Sequence, residues 1–258
     1  MKIGHAAEEE IRNLILEIGR RLWVREFVAA NDGNISVRLD NGDILTTPTG
    51  VSKGFLKPEM ILRLGPDGVV RRPSARFRPS SEIKMHLAVY GQRPDVGAVV
   101  HAHPPYATAF AVAGIPLDRH ILPEAVLTLG SVPVAPYATP TTQDVPESIR
   151  PFLEHGDAVL LANHGALTIG VDLVSAYLRM ETLEHEARIL FYAVLLGRVR
   201  TIPSEEIERL MEIRKAAGIP GRIHFAPCDP GDSLARMTRA LFEPLAGKKK
   251  GRSTKGRK

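Results

Sequence analysis

The sequence predicts an α/β layered fold built on a mixed, largely antiparallel sheet. Three observations lead there. Amphipathic stretches of helical period alternate with short, β-branched runs of strand character. Tight-turn signals such as Asp40-Asn41-Gly42-Asp43 join neighbouring strands directly, so hairpins outnumber long crossovers. The strands are also too numerous for a helical bundle.

In chain order, Ala6 to Ala29 reads as a helix, with Ile11, Leu14, Ile15, Ile18 and Leu22 at three- and four-residue spacing. Asn31-Asp32-Gly33-Asn34 breaks it with residues that tolerate left-handed dihedrals. Ile35 to Leu39 alternates as a strand, and Ile44 to Thr46 returns beside it. Thr47-Pro48-Thr49-Gly50 is a second Gly-ended turn, and Met60 to Leu64 with Gly68 to Val70 forms a hairpin around Pro66-Asp67-Gly68. Ser80-Ser81-Glu82 opens a helix reaching Tyr90, with Ser in the capping position.

Val96 to His103 is the next strand, followed by a helix from Pro104 to Ala113. Ser131 to Ala135 is a short strand, and Thr142 to Glu154 a helix with His155 in its last turn. There His155 is better explained as a partner of the helix C-terminus than as a ligand. Asp157 to Ala162 and Ala166 to Ile169 are strands. Asp172 to Leu196 is a long helix, apolar almost all round, and so is buried inside the domain or between subunits. Ser204 to Ala217 is the final helix, with Ser204 read as its cap.

Composition narrows the function. The 258 residues carry a formal charge of +5. Seven positive charges and no acids fall between Lys248 and Lys258, which leaves the remainder at −2. The basicity therefore belongs to a tail, residues 246–258, read as disordered because it has almost nothing apolar to bury. Residues 1–245 are read as a single domain. No specific nucleic-acid role is expected. Cys228 is the single cysteine and excludes an internal disulfide. Neither a signal peptide nor a membrane span is visible, so the expectation is a cytoplasmic protein.

The chemistry gathers at Val99-Val100-His101-Ala102-His103. Residues two apart in a strand point to one side, so both imidazoles can address one point. A third, His164 in Asn163-His164-Gly165, also follows an apolar run. Three neutral imidazoles with an open fourth position are the pattern of a catalytic metal site. Spacing alone leaves a second reading, hydrogen-bonded histidines at strand ends. Gly33-Asn34, Thr49-Gly50 and Ser80-Ser81 offer backbone N–H groups or hydroxyls suited to a phosphate dianion. As isolated segments they are ordinary loops and caps. Glu82 and His86 share a helix face, so His86 either orients that carboxylate or packs under the sheet. Tyr106, Arg119 and His185 are assigned no functional role.

Taken in order, Gly33-Asn34-Ile35-Ser36, Thr47-Pro48-Thr49-Gly50, Ser80-Ser81-Glu82, His101-Ala102-His103 and Asn163-His164-Gly165 resemble the class II aldolase/adducin-like family, in its fuculose-phosphate-aldolase branch. The resemblance runs from about Ala6 to Gly197. It implies a three-layer α/β/α domain around a mainly antiparallel sheet, and a homotetramer with sites between subunits. It implies that His101, His103 and His164 bind a metal, zinc by default with manganese or cobalt as alternatives. Glu82 would bind the metal without substrate and shuttle a proton with it. Gly33, Asn34, Thr49, Gly50, Ser80 and Ser81 would hold the substrate phosphate. The implied reaction is retro-aldol cleavage of a ketose 1-phosphate, L-fuculose 1-phosphate or a deoxypentulose 1-phosphate, to dihydroxyacetone phosphate and an aldehyde. The family's tyrosine acid has no match in His120 to Ala125. Glu124 is the first substitute, because Pro123 would fix its loop, with His120 and Tyr137 behind it; an interface ion pair is the other reading of Glu124. The same scaffold hosts pentulose-5-phosphate 4-epimerases, a methylthioribulose-phosphate dehydratase and non-catalytic adducin-like modules. The last tend to lack the metal ligands present here.

Overall fold

In the computed structural model, residues 5–225 are described. Cys228 and the basic segment 246–258 lie outside them. Helix α1 (His5–Val24) leads into β1 (Asn34–Arg38), β2 (Ile44–Thr46) and β3 (Leu62–Leu64). Helix α2 (Ile83–Gln92), β4 (Ala98–Ala102), α3 (Pro105–Ala113) and α4 (Pro123–Thr128) follow. The chain continues through β5 (Val134–Ala135), α5 (Asp144–Leu153), β6 (Ala158–Leu161), β7 (Gly165–Gly170), α6 (Leu173–Leu195) and α7 (Ser204–Ala216). The seven strands form one sheet in the order β3-β2-β1-β4-β7-β6-β5. Only β5 and β6 run parallel, so the sheet is mixed and mainly antiparallel, as the hairpin signals predict.

Strand alternation builds the layers. On β1 and β4, Ile35, Val37, Ala98, Val100 and Ala102 pack with Ile15, Ile18 and Leu22 of α1, Phe110 of α3 and Tyr177, Met180 and Leu183 of α6. From the opposite face Val99, Val159, Leu161, Leu167 and Ile169 meet Met85 and Val89 of α2 and Val145 and Ile149 of α5. Two cores on the two faces of one sheet make the three-layer α/β/α arrangement.

Several boundaries differ from the sequence reading. Helix α1 stops at Val24, not Ala29. Glu26 takes a left-handed φ of 62°, and Phe27 and Val28 turn back into the core. No glycine or proline announces this turn. The Phe27 carbonyl then accepts the His103 N–H at 2.8 Å, tying the end of β4. Ser80 does not cap α2. Its Oγ accepts the Glu82 N–H at 3.3 Å in a local turn, and the helix begins at Ile83. Beyond β3 the expected return strand is one bridge, Leu64 to Val70. Pro123 starts helix α4 where a loop was expected. Pro203, not Ser204, precedes α7, and Ser204 makes no capping bond.

Helix α6 is capped by Asp172, whose Oδ1 accepts the Ser175 N–H at 2.7 Å while Ser175 Oγ accepts the Asp172 N–H. Much of this helix is buried, but its Val174, Leu178, Tyr192 and Leu195 remain exposed. At the foot of the sheet, Asp157 is buried between Arg93 at 2.9 Å and Arg179 at 3.2 Å. None of the helices in the described residues is long and apolar enough to cross a membrane.

Candidate metal centre and anion cavity

The site forms at the other end of the same strands. Asn34 of β1 pairs with His101 of β4, and His101 with Leu167 of β7, so the central three strands deliver their ends together. His101 is the penultimate residue of β4, and His103 follows just past its end with the same parity on the α2-facing side. His164 occupies the connection between β6 and β7. There Asn163 adopts φ 57°, a conformation that asparagine tolerates better than most residues. Gly165 permits the convergence: a Cβ there would lie 2.5 Å from the Ala102 carbonyl oxygen and from the His103 ring.

The three rings stand 4.8–4.9 Å apart by centroid. One ring nitrogen from each lies within 4.8 Å of the others, a group able to hold a metal ion. His101 Nδ1 donates to the Ala166 carbonyl at 2.9 Å. That bond fixes the proton on Nδ1 and leaves a lone pair on Nε2. His103 Nδ1 lies 3.4 Å from Asp32 Oδ2, which favours the same tautomer. The Nε2 atoms of His101 and His103 then face each other across 3.1 Å. Two lone pairs at that separation repel unless an electrophile lies between them. Tetrahedral zinc with bonds of about 2.0–2.1 Å sets its nitrogens at a similar spacing. Burial pushes the His101 imidazole down to about 3 and also lowers His103, so both are neutral and able to coordinate at pH 7. The donor chemistry fits a divalent cation.

Glu82 joins this group from the turn before α2. Its Oε1 lies 3.1 Å from His164 Nε2 and its Oε2 3.4 Å from His101 Nε2. Asn34 Nδ2 donates to Oε2 at 2.8 Å and sets the carboxylate plane. Burial alone would raise its pKa, but the facing imidazoles together hold it far below the usual carboxylate range. His86, one turn on, makes no hydrogen bond to Glu82. Its Nδ1 lies 2.7 Å from Ser36 Oγ, which also lies 2.8 Å from the Tyr90 hydroxyl. Of the two readings of His86, the structure supports packing under the sheet. Burial lowers its pKa to about 4.

Beside the imidazoles lies a cavity of about 200 Å³. Gly33, Asn34, Thr49, Ser80, Ser81 and Glu82 line it, together with His103 and His164. Gly50 sits exposed at the turn tip, outside the lining. The Thr49 N–H is engaged by the Arg78 carbonyl at 2.9 Å, leaving its hydroxyl as the free group. Lys53 and Thr141 also line the cavity, and neither was singled out in the sequence. The signal for Lys53 was its position three residues after Gly50, in the segment leaving the turn. A larger hollow of about 750 Å³ near Arg12 and Arg71 is lined by mutually paired charges, such as Arg63 with Glu8 and Asp43, and has no convergent ligand set.

The candidates for the missing acid lie elsewhere. Glu124 is exposed on α4 and does not line the cavity. His120 is buried, with Nε2 3.3 Å from Ser131 Oγ and its ring against Phe225. Tyr137 is exposed beyond β5.

Residues 13–191 match the family described as class II aldolase and adducin N-terminal domain. The 3-oxo-tetronate 4-phosphate decarboxylase of Haemophilus influenzae is 33% identical over 204 residues, covering 77% of this chain and 95% of the relative. The L-fuculose phosphate aldolase of Methanococcus maripaludis is 34% identical over 174 residues, 67% of this chain and 92% of its own. Among solved structures, L-fuculose-1-phosphate aldolase from Thermus thermophilus superposes with a TM-score of 0.66 at 32% identity, over 74% of this chain and 98% of that one. Sheet order, converging imidazoles and matched sequence agree, and the chain belongs to the class II aldolase and adducin family.

Proposed function

We propose that the chain is a metal-dependent lyase that cleaves a ketose 1-phosphate, L-fuculose 1-phosphate or a related deoxypentulose 1-phosphate, to dihydroxyacetone phosphate and an aldehyde. The observation that carries this reading is the meeting of three imidazoles and one carboxylate at a cavity rimmed with hydroxyl and amide groups. His101, His103 and His164 would hold the ion, zinc first, with manganese or cobalt suited to the same donors. A divalent cation held there supplies Lewis-acid polarisation of the ketose oxygens.

The remaining work falls to the chain's own side chains. Asn34, Thr49, Ser80 and Ser81, with the turns at Gly33 and Gly50, bind the phosphate and fix the position of the C3–C4 bond. Glu82, oriented by Asn34, exchanges a proton with the carbon that carries the enediolate charge. Its neighbours in sequence, Ser80 and Ser81, set the phosphate and the carboxylate in one register. The proton of the C4 hydroxyl needs a separate acceptor, and Glu124 delivered by a neighbouring subunit is our assignment. We take residues 1–245 as one domain in a cytoplasmic homotetramer. The apolar side chains left exposed on α6 support an assembly of this kind.

A specific observation favours one second reading. Without a tyrosine near residue 124, and with Glu124 outside the cavity, a reaction that needs no alkoxide acceptor suits the site. Loss of CO2 from a phosphorylated 3-oxo acid is such a reaction, and leaves the same enediolate for Glu82 to protonate. Metal-loaded protein incubated with each substrate class separates the two. Dihydroxyacetone phosphate is the expected product of the ketose 1-phosphates. Release of CO2 from the oxo acid with no cleavage of the ketoses moves the assignment to the second reading, and neither product overturns both.

A further inference from the structure

Lys53 is fully buried, in a single tight turn (Lys53–Phe55) packed on α1. Its Nζ donates to the Asn31 carbonyl at 2.8 Å and to the Val51 carbonyl at 2.9 Å. Those carbonyls belong to the two loops that carry Gly33-Asn34 and Thr49-Gly50. Among the described residues no carboxylate lies within ion-pair distance of it, so it is a buried ammonium held by neutral partners. An ammonium has three donors, and two are used here. Lys53 lines the cavity and is the single lysine or arginine that does so among the described residues. The cavity's other charged side chains besides histidine are the acids Asp32 and Glu82.

A phosphate dianion placed beside two carboxylates, on neutral hydroxyl and amide donors alone, would be repelled. We propose that Lys53 is the cationic member of the anion subsite, pinning the two anion-binding loops together and supplying the charge by which the cavity selects a phosphorylated substrate. This rests on the reading of the cavity as a phosphate site. It accounts for an otherwise expensive feature, since a buried ammonium with neutral partners is unfavourable until an anion arrives. Burial lowers its pKa to about 8, with Asp32 and Glu82 acting in the opposite direction, so at pH 7 it carries its charge.

The test is titration of inorganic phosphate onto zinc-loaded and chelator-treated protein, with metal content measured alongside. Wild type binds phosphate in both forms. Lys53→Met keeps wild-type zinc but loses phosphate affinity by about ten- to a hundredfold, and Lys53→Arg recovers most of it. Lys57→Met, which removes an exposed charge from the same segment, changes little. Lys53→Gln retains donors for the carbonyls without the charge; it stands in if Lys53→Met does not fold, and the same loss is expected of it. Wild-type phosphate affinity in a folded, zinc-bearing Lys53→Met or Lys53→Gln protein overturns the role of Lys53 and leaves the proposed function standing. Absence of phosphate binding to wild type overturns both.

Discussion

His101 donates its Nδ1 proton to the Ala166 carbonyl across 2.9 Å, and this bond between neighbouring strands decides which nitrogen faces the site. The presentation of this imidazole is therefore set by the sheet itself. His101→Ala is expected to lose bound metal and, with it, turnover by more than about a thousandfold, since one of three imidazoles is gone. Elemental analysis and a lyase assay on the same preparation check this; a metal-free variant of undiminished activity would refute the role of the ion.

Gly165 gives a subtler prediction. A methyl at this position meets the Ala102 carbonyl and the His103 ring, both at 2.5 Å. Gly165→Ala should displace His103 and weaken metal binding by about ten- to a hundredfold, with a stability loss of about 1–3 kcal/mol. A competition titration against a chromogenic chelator reads the first effect and urea denaturation the second.

Asp157 is held between Arg93 and Arg179, both almost fully buried. Asp157→Ala leaves two guanidiniums short of their shared counter-charge and should lower stability by about 3–5 kcal/mol. The residue is remote from the imidazoles, so zinc content per folded molecule should not change. A midpoint shift in denaturant with intact metal stoichiometry is the expected pair of results.

Glu186 of α6 is buried, and its Oε2 has no hydrogen-bond partner among the described residues. Burial raises its pKa to about 8. The folded protein therefore retains a proton that the unfolded chain releases near pH 4.5, and stability declines as pH rises between those values. Glu186→Gln removes this slope. The variant should be more stable than wild type at pH 8, by on the order of 2–4 kcal/mol, with the difference vanishing towards pH 4. Thermal denaturation at several pH values would show it.

Glu124→Gln tests the proton acceptor for the C4 hydroxyl. If a neighbouring subunit brings this carboxylate to the substrate, kcat should fall by about 100-fold or more, with zinc content and phosphate affinity unchanged. Unaltered turnover would remove the assignment.

Much of the fold was legible because alternation and turn chemistry are local. Asn41 and Gly42 mark their hairpin in any context, and the two-residue spacing of His101 and His103 already places them on one side of a strand. What was missed depends on distance in sequence. Glu184 drew no notice in the sequence, yet its carboxylate accepts the Tyr106 and Ala107 N–H groups at the start of helix α3, at 3.0 and 2.8 Å, from 78 and 77 residues away. The early end of α1 likewise follows from Phe27 reaching back to His103, which no propensity at Glu26 foretells. Lys53 went unremarked in the sequence, because its carbonyl partners come from loops whose approach is a product of the fold. The pairing of His101 with His103 was legible and Lys53 beside it was not, for the same reason: periodicity reports direction along a strand, while the meeting of separate loops must be seen.

The charged knot of Arg93, Asp157 and Arg179 and the imidazole cluster occupy opposite ends of one set of strands. Cohesion and selectivity are thereby uncoupled. On the proposed function, a rim residue such as Thr141 can be exchanged to admit a different substrate without disturbing the far anchor that holds the strands together.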